Sequence, residues 1–259
     1  MSVNGFTIRH WQFSLPKRGE RTEDYEDASA ADPGRGRFAI ADGAAGSSFS
    51  ALWAKLLVEE FVGTSKPQPG PWKDWLPGVQ DRWKTAINAR PKGSQASPWF
   101  VEDRIQQGAF AAFLGLVIDQ YVNWRGKIKK RWQALAIGDS CLFQVRESRL
   151  VSSVPMKRSR DFGNTPWLVG SRTVPDRKFR KLVVQQTGDW QSGDHLWLMT
   201  DALALWFLQQ TESGHKAWKD LDNLILAPEP AQVFAHWIEW LRSHQEIRND
   251  DVTLMGVWL

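Results

Sequence analysis

Acidic residues stand at five points along this chain, Glu26-Asp27, Asp42, Asp139, Asp201 and Asp250-Asp251, each beside a short apolar or small-residue run that reads mostly as strand. An isolated buried carboxylate is costly to desolvate, so several meeting at one sheet edge require cations or one another for neutralisation. Such a site would be hard and oxygen-rich. With five His and one Cys in 259 residues, soft-ligand zinc or copper centres are disfavoured, and Mg²⁺ or Mn²⁺ is the expected cation. His236 and His244 share a helix face but suit surface or core roles better than ligation, and Cys141 reads as inert packing on an apolar strand.

The elements that must position these carboxylates follow from periodicity. Phe6 to Leu15 alternates loosely as a first strand, and the acidic turn RTEDYEDASA comes next. GRFAIADG is a short buried strand ending at Asp42-Gly43, followed by a small-residue turn and a helix that stops at Gly63. PGPWKDWLPGVQDRWKTAINARPKG predicts a second helical stretch, and PWFVEDRIQQGAF a third, with Glu102 and Asp103 in its opening turn. AAFLGLVIDQYV and RWQALAIGDSCLFQVR read as adjacent antiparallel strands, the second containing the tight-turn pair Gly138-Asp139. KLVVQQT and DHLWLMT are further strands, DALALWFLQQ and EPAQVFAHWIEWLRSH are helices, and NDDVTLMGVWL is a closing strand. No repeat or low-complexity tract marks a boundary, so a single domain over 1–259 is expected, with a flap at 152–180 where the pattern dissolves into Pro, Gly, Ser and basic residues.

The net charge of +4 is modest but uneven. Lys157, Arg158, Arg160, Arg172, Arg177, Lys178, Arg180 and Lys181 face only Asp161 and Asp176 across the flap, which would attract phosphate or act simply as a solvated loop. Lys127, Lys129, Lys130 and Arg131 are assigned to a solvated hairpin tip. Of the 16 Trp residues, Trp53, Trp132, Trp197, Trp206, Trp237 and Trp258 fall in periodic apolar segments and read as core. Trp72, Trp75 and Trp99 lie in Pro/Gly-rich surroundings, where packing is favoured over docking. The chain shows neither an apolar leader behind a basic start nor an apolar run of membrane-spanning length, and its lone Cys suits a reducing compartment, so a soluble, cytoplasmic protein is expected.

Taken in order, YEDA, AIADGAAG, AIGDSCLFQVR, LWLMTDAL and NDDVTLMGVWL resemble the acidic motifs of the metal-dependent protein serine/threonine phosphatases of type 2C, the PPM family. Each motif is weak alone; five in the right order are specific. The resemblance implies an α+β fold, a four-layer α-β-β-α sandwich with two central antiparallel sheets, and a dinuclear Mn²⁺ or Mg²⁺ site at one edge. By motif match, Asp42 would bridge the metals, Asp201 and Asp250 would complete one ion's shell, and Glu26 with the Gly43 carbonyl would serve the other. Asp139 would bind a weaker third ion. Two such ions can share a water, lower its pKa and align it with a phosphate ester.

Three positions depart from the family pattern. Its motif has an Arg four residues before the Glu, where this chain has Thr22, so phosphate clamping would pass to Arg21, with Arg18 further back. Ala44 stands where many members carry a His that protonates the leaving alcohol, and Leu205 replaces an Asp associated with the third ion. The implied function is hydrolysis of phosphoserine and phosphothreonine in proteins, with a kinase or kinase target as the phosphorylated partner and no membrane. The alternative is a catalytically weak relative acting as a phosphoprotein- or partner-binding module. Nucleic-acid binding through the basic flap ranks last.

Overall fold

A computed structural model of the chain describes residues 2–3, 6–45, 47, 49–63, 75–89, 107–163, 166–172 and 181–259. Thirteen strands are defined there: β1 (Ser2–Val3), β2 (Phe6–Thr7), β3 (Arg9–Leu15), β4 (Ala28–Asp32), β5 (Arg37–Gly43), β6 (Phe110–Val122), β7 (Ile128–Ile137), β8 (Cys141–Arg146), β9 (Arg149–Val154), β10 (Val169–Gly170), β11 (Val184–Asp189), β12 (His195–Met199) and β13 (Val252–Trp258). The α-helices of the described residues are α1 (Ser50–Gly63), α2 (Leu76–Asn88), α3 (Asp201–Glu212), α4 (Ala217–Ile225) and α5 (Pro230–Ser243).

Two antiparallel sheets form the centre. One runs β11-β7-β6-β5-β4 with β10 added at β6, and the other runs β3-β13-β12-β8-β9. Their facing sides enclose Phe38, Ile40, Leu114, Leu116, Trp132, Leu196, Leu198, Met255 and Val257. Helices α1 and α2 cover the outer side of the first sheet through Trp53, Leu57, Phe61, Val79 and Trp83, while α3, α4 and α5 cover the second through Phe207, Leu221, Phe234 and Ile238. The architecture is the expected four-layer α-β-β-α sandwich. A strand covered on both sides needs apolar residues at every position rather than at alternate ones, which is why β6 is apolar and buried without interruption from Ala111 to Ile118. In α1, Trp53, Leu57 and Phe61 recur four residues apart and turn one stripe to the sheet.

The segment read from sequence around Gly138-Asp139 behaves differently from a hairpin. Strands β6 and β7 pair as expected, but β7 and β8 belong to different sheets, β8 pairing instead with β12 and β9. The turn is therefore a crossover between layers. Gly138 makes it with φ of 97°, and a Cβ there would lie 2.6 Å from the Ala112 side chain. Helix α4 was not foreseen, because its nine residues give only a short pattern. The third predicted helical stretch, with Glu102 and Asp103, lies outside the described residues over 98–106, as do Trp72 and Trp99. Trp75 is buried against Phe61 and Phe113, as packing predicted.

Candidate metal centre

Antiparallel register gathers the acidic motifs at one end of the sandwich. Ala28, just after Glu26-Asp27, pairs with Ala41, just before Asp42, and Asp42 itself pairs with Ala112 on β6. In the other sheet Met199, ahead of Asp201, lies opposite both Leu254 and Cys141, which follow Asp250-Asp251 and Asp139. Strand ends remote in sequence thus become neighbours, since each pairing reverses direction.

Carboxylate oxygens of Asp42, Asp139 and Asp201 all lie within 4.8 Å of one another. Burial is the foremost reason that the Asp42 carboxyl is pushed well above the usual range, and the negative charges of Asp27, Asp201, Asp139 and Asp250 add to it. The same causes push Asp139 up to about 7, burial first and then Asp201, with Arg248 acting in the opposite sense. Asp201 is raised by burial and by Asp250, against the pull of Arg248. Asp250 is outside the three-residue group, yet its charge bears on all three members.

Glu26 stands apart from that group. Its carboxylate accepts a hydrogen bond from Ser50 Oγ at the start of α1 and lies 3.8 Å from Lys17 Nζ. Gly43 is held between the Glu26 backbone and Ser50, where a Cβ would come 2.6 Å from the Glu26 carbonyl oxygen. An open cleft of about 580 Å³ adjoins Glu26 and is lined by Lys17, Glu20, Arg21, Asp24 and Ala45. Arg21, the expected phosphate clamp, lines this cleft with a largely exposed side chain near Glu23 and Asp24.

Three participants escaped the sequence reading. Asp27, taken only as Glu26's neighbour, is buried beneath the cluster and accepts from Thr253 Oγ1 at 2.8 Å. Asp251 accepts from the backbone N–H of Lys17 at 2.8 Å and of Glu26 at 2.7 Å, so it ties the N-terminal segment to β13. Arg248 donates to Asp201 Oδ2. A basic residue two positions before Asp250 was the available signal for it.

The donor set fits a hard divalent cation. Asp201 Oδ1 and Asp27 Oδ1 are buried and accept no hydrogen bond, and a buried carboxylate oxygen left so needs another source of positive charge. Several carboxylates raised first by burial and then by one another's charge express the same need.

A four-layer sandwich with a carboxylate centre on its rim defines a class of metal-binding hydrolase folds, and within it the chain belongs to the protein phosphatase 2C family, whose model matches residues 14–247. Comparison with curated proteins finds no match. Among solved structures the chain is similar to PppA of Pseudomonas aeruginosa, described as a key regulatory component of the T6SS, at 15% identity and a TM-score of 0.58 over 98% of each chain. It is equally similar to the serine/threonine phosphatase PstP/Ppp of Mycobacterium tuberculosis, at 15% identity and a TM-score of 0.58 over 98% of this chain and 99% of that one. A PstP catalytic domain in complex with two manganese ions matches at 17% identity and a TM-score of 0.59 over 97% of each chain.

Proposed function

We propose that this protein removes phosphate from phosphoserine and phosphothreonine in proteins at a centre holding two Mn²⁺ or Mg²⁺ ions. The observation that carries the reading is the convergence of the Asp42, Asp139 and Asp201 carboxylates within 4.8 Å on the rim of a protein phosphatase 2C sandwich. Asp42 would bridge the two ions, Asp201 and Asp250 would hold one, Glu26 and the Gly43 carbonyl the other, and Asp139 would be an additional ligand. Bound there, the ions would supply an acidified water and positive charge for the phosphoryl oxygens. Ser50 would orient Glu26, and Asp27 would add negative charge from below. Arg21 would grip the phosphate from the cleft beside Glu26. With Ala44 at the position of the family's His, solvent water would protonate the departing alcohol.

The flap assigned to 152–180 would present its basic residues to the phosphoprotein, a kinase or a kinase target. Catalysis at a cytoplasmic site is the corresponding expectation; among the described residues no helix is long and apolar enough to cross a membrane. A second reading, a phosphoprotein-binding module with weak activity, is favoured by Ala44 and Leu205. Hydrolysis of p-nitrophenyl phosphate and of a phosphothreonine peptide separates the two. The expected result is turnover with Mn²⁺ or Mg²⁺ that chelator abolishes and that Asp42→Asn reduces by about a thousandfold or more, the scale of losing a centre that supplies nucleophile and charge together. Metal binding and phosphopeptide binding without turnover in the wild type would support the module instead.

A further inference from the structure

One cation of the chain is seated directly on the carboxylate cluster. Arg248 donates to Asp201 Oδ2, while Asp201 Oδ1 is buried without a partner. The backbone that carries Arg248 is pinned on both sides. Ile247 is buried in the core beneath α3 and α5, and the Asn249 side chain accepts from Arg18 N–H at 2.7 Å and donates to Arg18 carbonyl oxygen at 3.1 Å. The side chain itself is 52% exposed, so the guanidinium bonds a carboxylate on one side and meets solvent on the other.

This arrangement has an electrostatic consequence. The pair is exposed on the guanidinium side only, Asp201 being 12% exposed, so the guanidinium can leave when another cation takes its place on the buried carboxylate. Divalent cations on Asp201 would cancel the charge that holds the guanidinium, leaving a planar fork of N–H donors, fixed at its root, at the rim of a newly positive centre. A phosphoryl group drawn to that centre would bring the anion the fork needs. Arg21, by contrast, is 77% exposed, rises from an exposed turn and already faces Glu23 and Asp24.

We propose that Arg248 is an exchanging counter-ion of this centre: it neutralises Asp201 when metal is absent and, displaced by metal, grips the phosphate. The inference rests on the metal-centre reading above and adds a phosphate-binding residue to it.

The test is calorimetric titration of Mn²⁺ into chelator-stripped protein, then of inorganic phosphate into the Mn²⁺-saturated protein, for wild type, R248Q and R248K. R248Q is expected to bind Mn²⁺ several-fold more tightly, having lost the internal competitor, and phosphate about tenfold or more weakly, the scale of a lost charge-assisted hydrogen bond. R248K keeps the charge without the fork, so its Mn²⁺ affinity should stay near wild type and its phosphate affinity fall between the other two. Unchanged Mn²⁺ affinity in R248Q overturns the exchange, and a phosphate affinity within about twofold of wild type overturns the grip. Absence of Mn²⁺ uptake by the wild type would instead sink the metal-centre reading, and the proposal with it.

Discussion

Asp139 shows how burial and repulsion store information in a single carboxyl. Its pKa of about 7 in the folded chain compares with roughly 4 in an unfolded one, so the native protein keeps a proton that the unfolded chain gives up between those values. The stability this contributes is fully present below about pH 4 and is lost as pH rises through about 7. Thermal melts in chelator should therefore show Asp139→Asn, which carries no ionisable proton, gaining on the wild type as pH rises, by about 1–3 kcal/mol above pH 7. A gap that stays flat with pH would contradict the assignment. Were Asp139 to ligate metal as proposed, the sense would reverse, because ligation needs the carboxylate ionised and binding releases the proton.

At the scale of elements, the abundance of Trp poses a packing problem that cross-strand glycines solve. Gly256 on β13 lies opposite Trp197 on β12, and Gly188 on β11 lies opposite Trp132 on β7, each indole lying over its glycine. A Cβ would come 2.7 Å from the Trp197 ring at Gly256 and 2.4 Å from the Trp132 ring at Gly188. Strand β13 is flanked by β3 and β12, whereas β11 is at a sheet edge and can move aside. Gly256→Ala should accordingly cost about 2–3 kcal/mol in urea unfolding, and Gly188→Ala less despite its shorter contact. Equal costs would show that the edge strand is held as rigidly as the central one.

Across the whole molecule, one buried polar network joins the sheets at the end remote from the carboxylates. Trp132 Nε1 on the first sheet donates to Gln144 Oε1 on the second at 2.9 Å. Gln144 Nε2 donates to the Asp189 carbonyl at 2.9 Å and to Asp194 Oδ2 at 2.8 Å, and Arg146 completes the Asp194 carboxylate. Gln144→Leu would orphan the indole N–H and an Asp194 contact inside the sandwich, at about 2–4 kcal/mol. Mn²⁺ binding by the remaining folded protein should persist, since the acidic motifs are at the other ends of β7, β8 and β12. Loss of binding in proportion to stability would mean that the two ends are coupled through the sheets.

Much of this was legible in the residues. Apolar runs bounded by Asp-Gly, Gly-Asp, Thr-Asp and Asp-Asp told where strands end and where carboxylates stand, because strand period and turn chemistry act over a few neighbours. What acts over such distances cannot tell which strands share a sheet. Gly138-Asp139 looked like a hairpin turn because its two apolar flanks are indistinguishable from paired strands, and only the packing of two sheets sends them into different layers. The role of Asp251 was hidden for a related reason. Asp251 stands just before β13, and only the tertiary structure brings the backbone N–H groups of Lys17 and Glu26 to its carboxylate. By itself the sequence determined the kind of chemistry, carboxylates on strand ends in a fixed order. The tertiary structure decided the contacts, Asp42 with Asp139 and Asp201, Glu26 with Ser50, Arg248 on Asp201, because each joins segments whose distance is set by antiparallel register and layer packing rather than by any local preference of the chain.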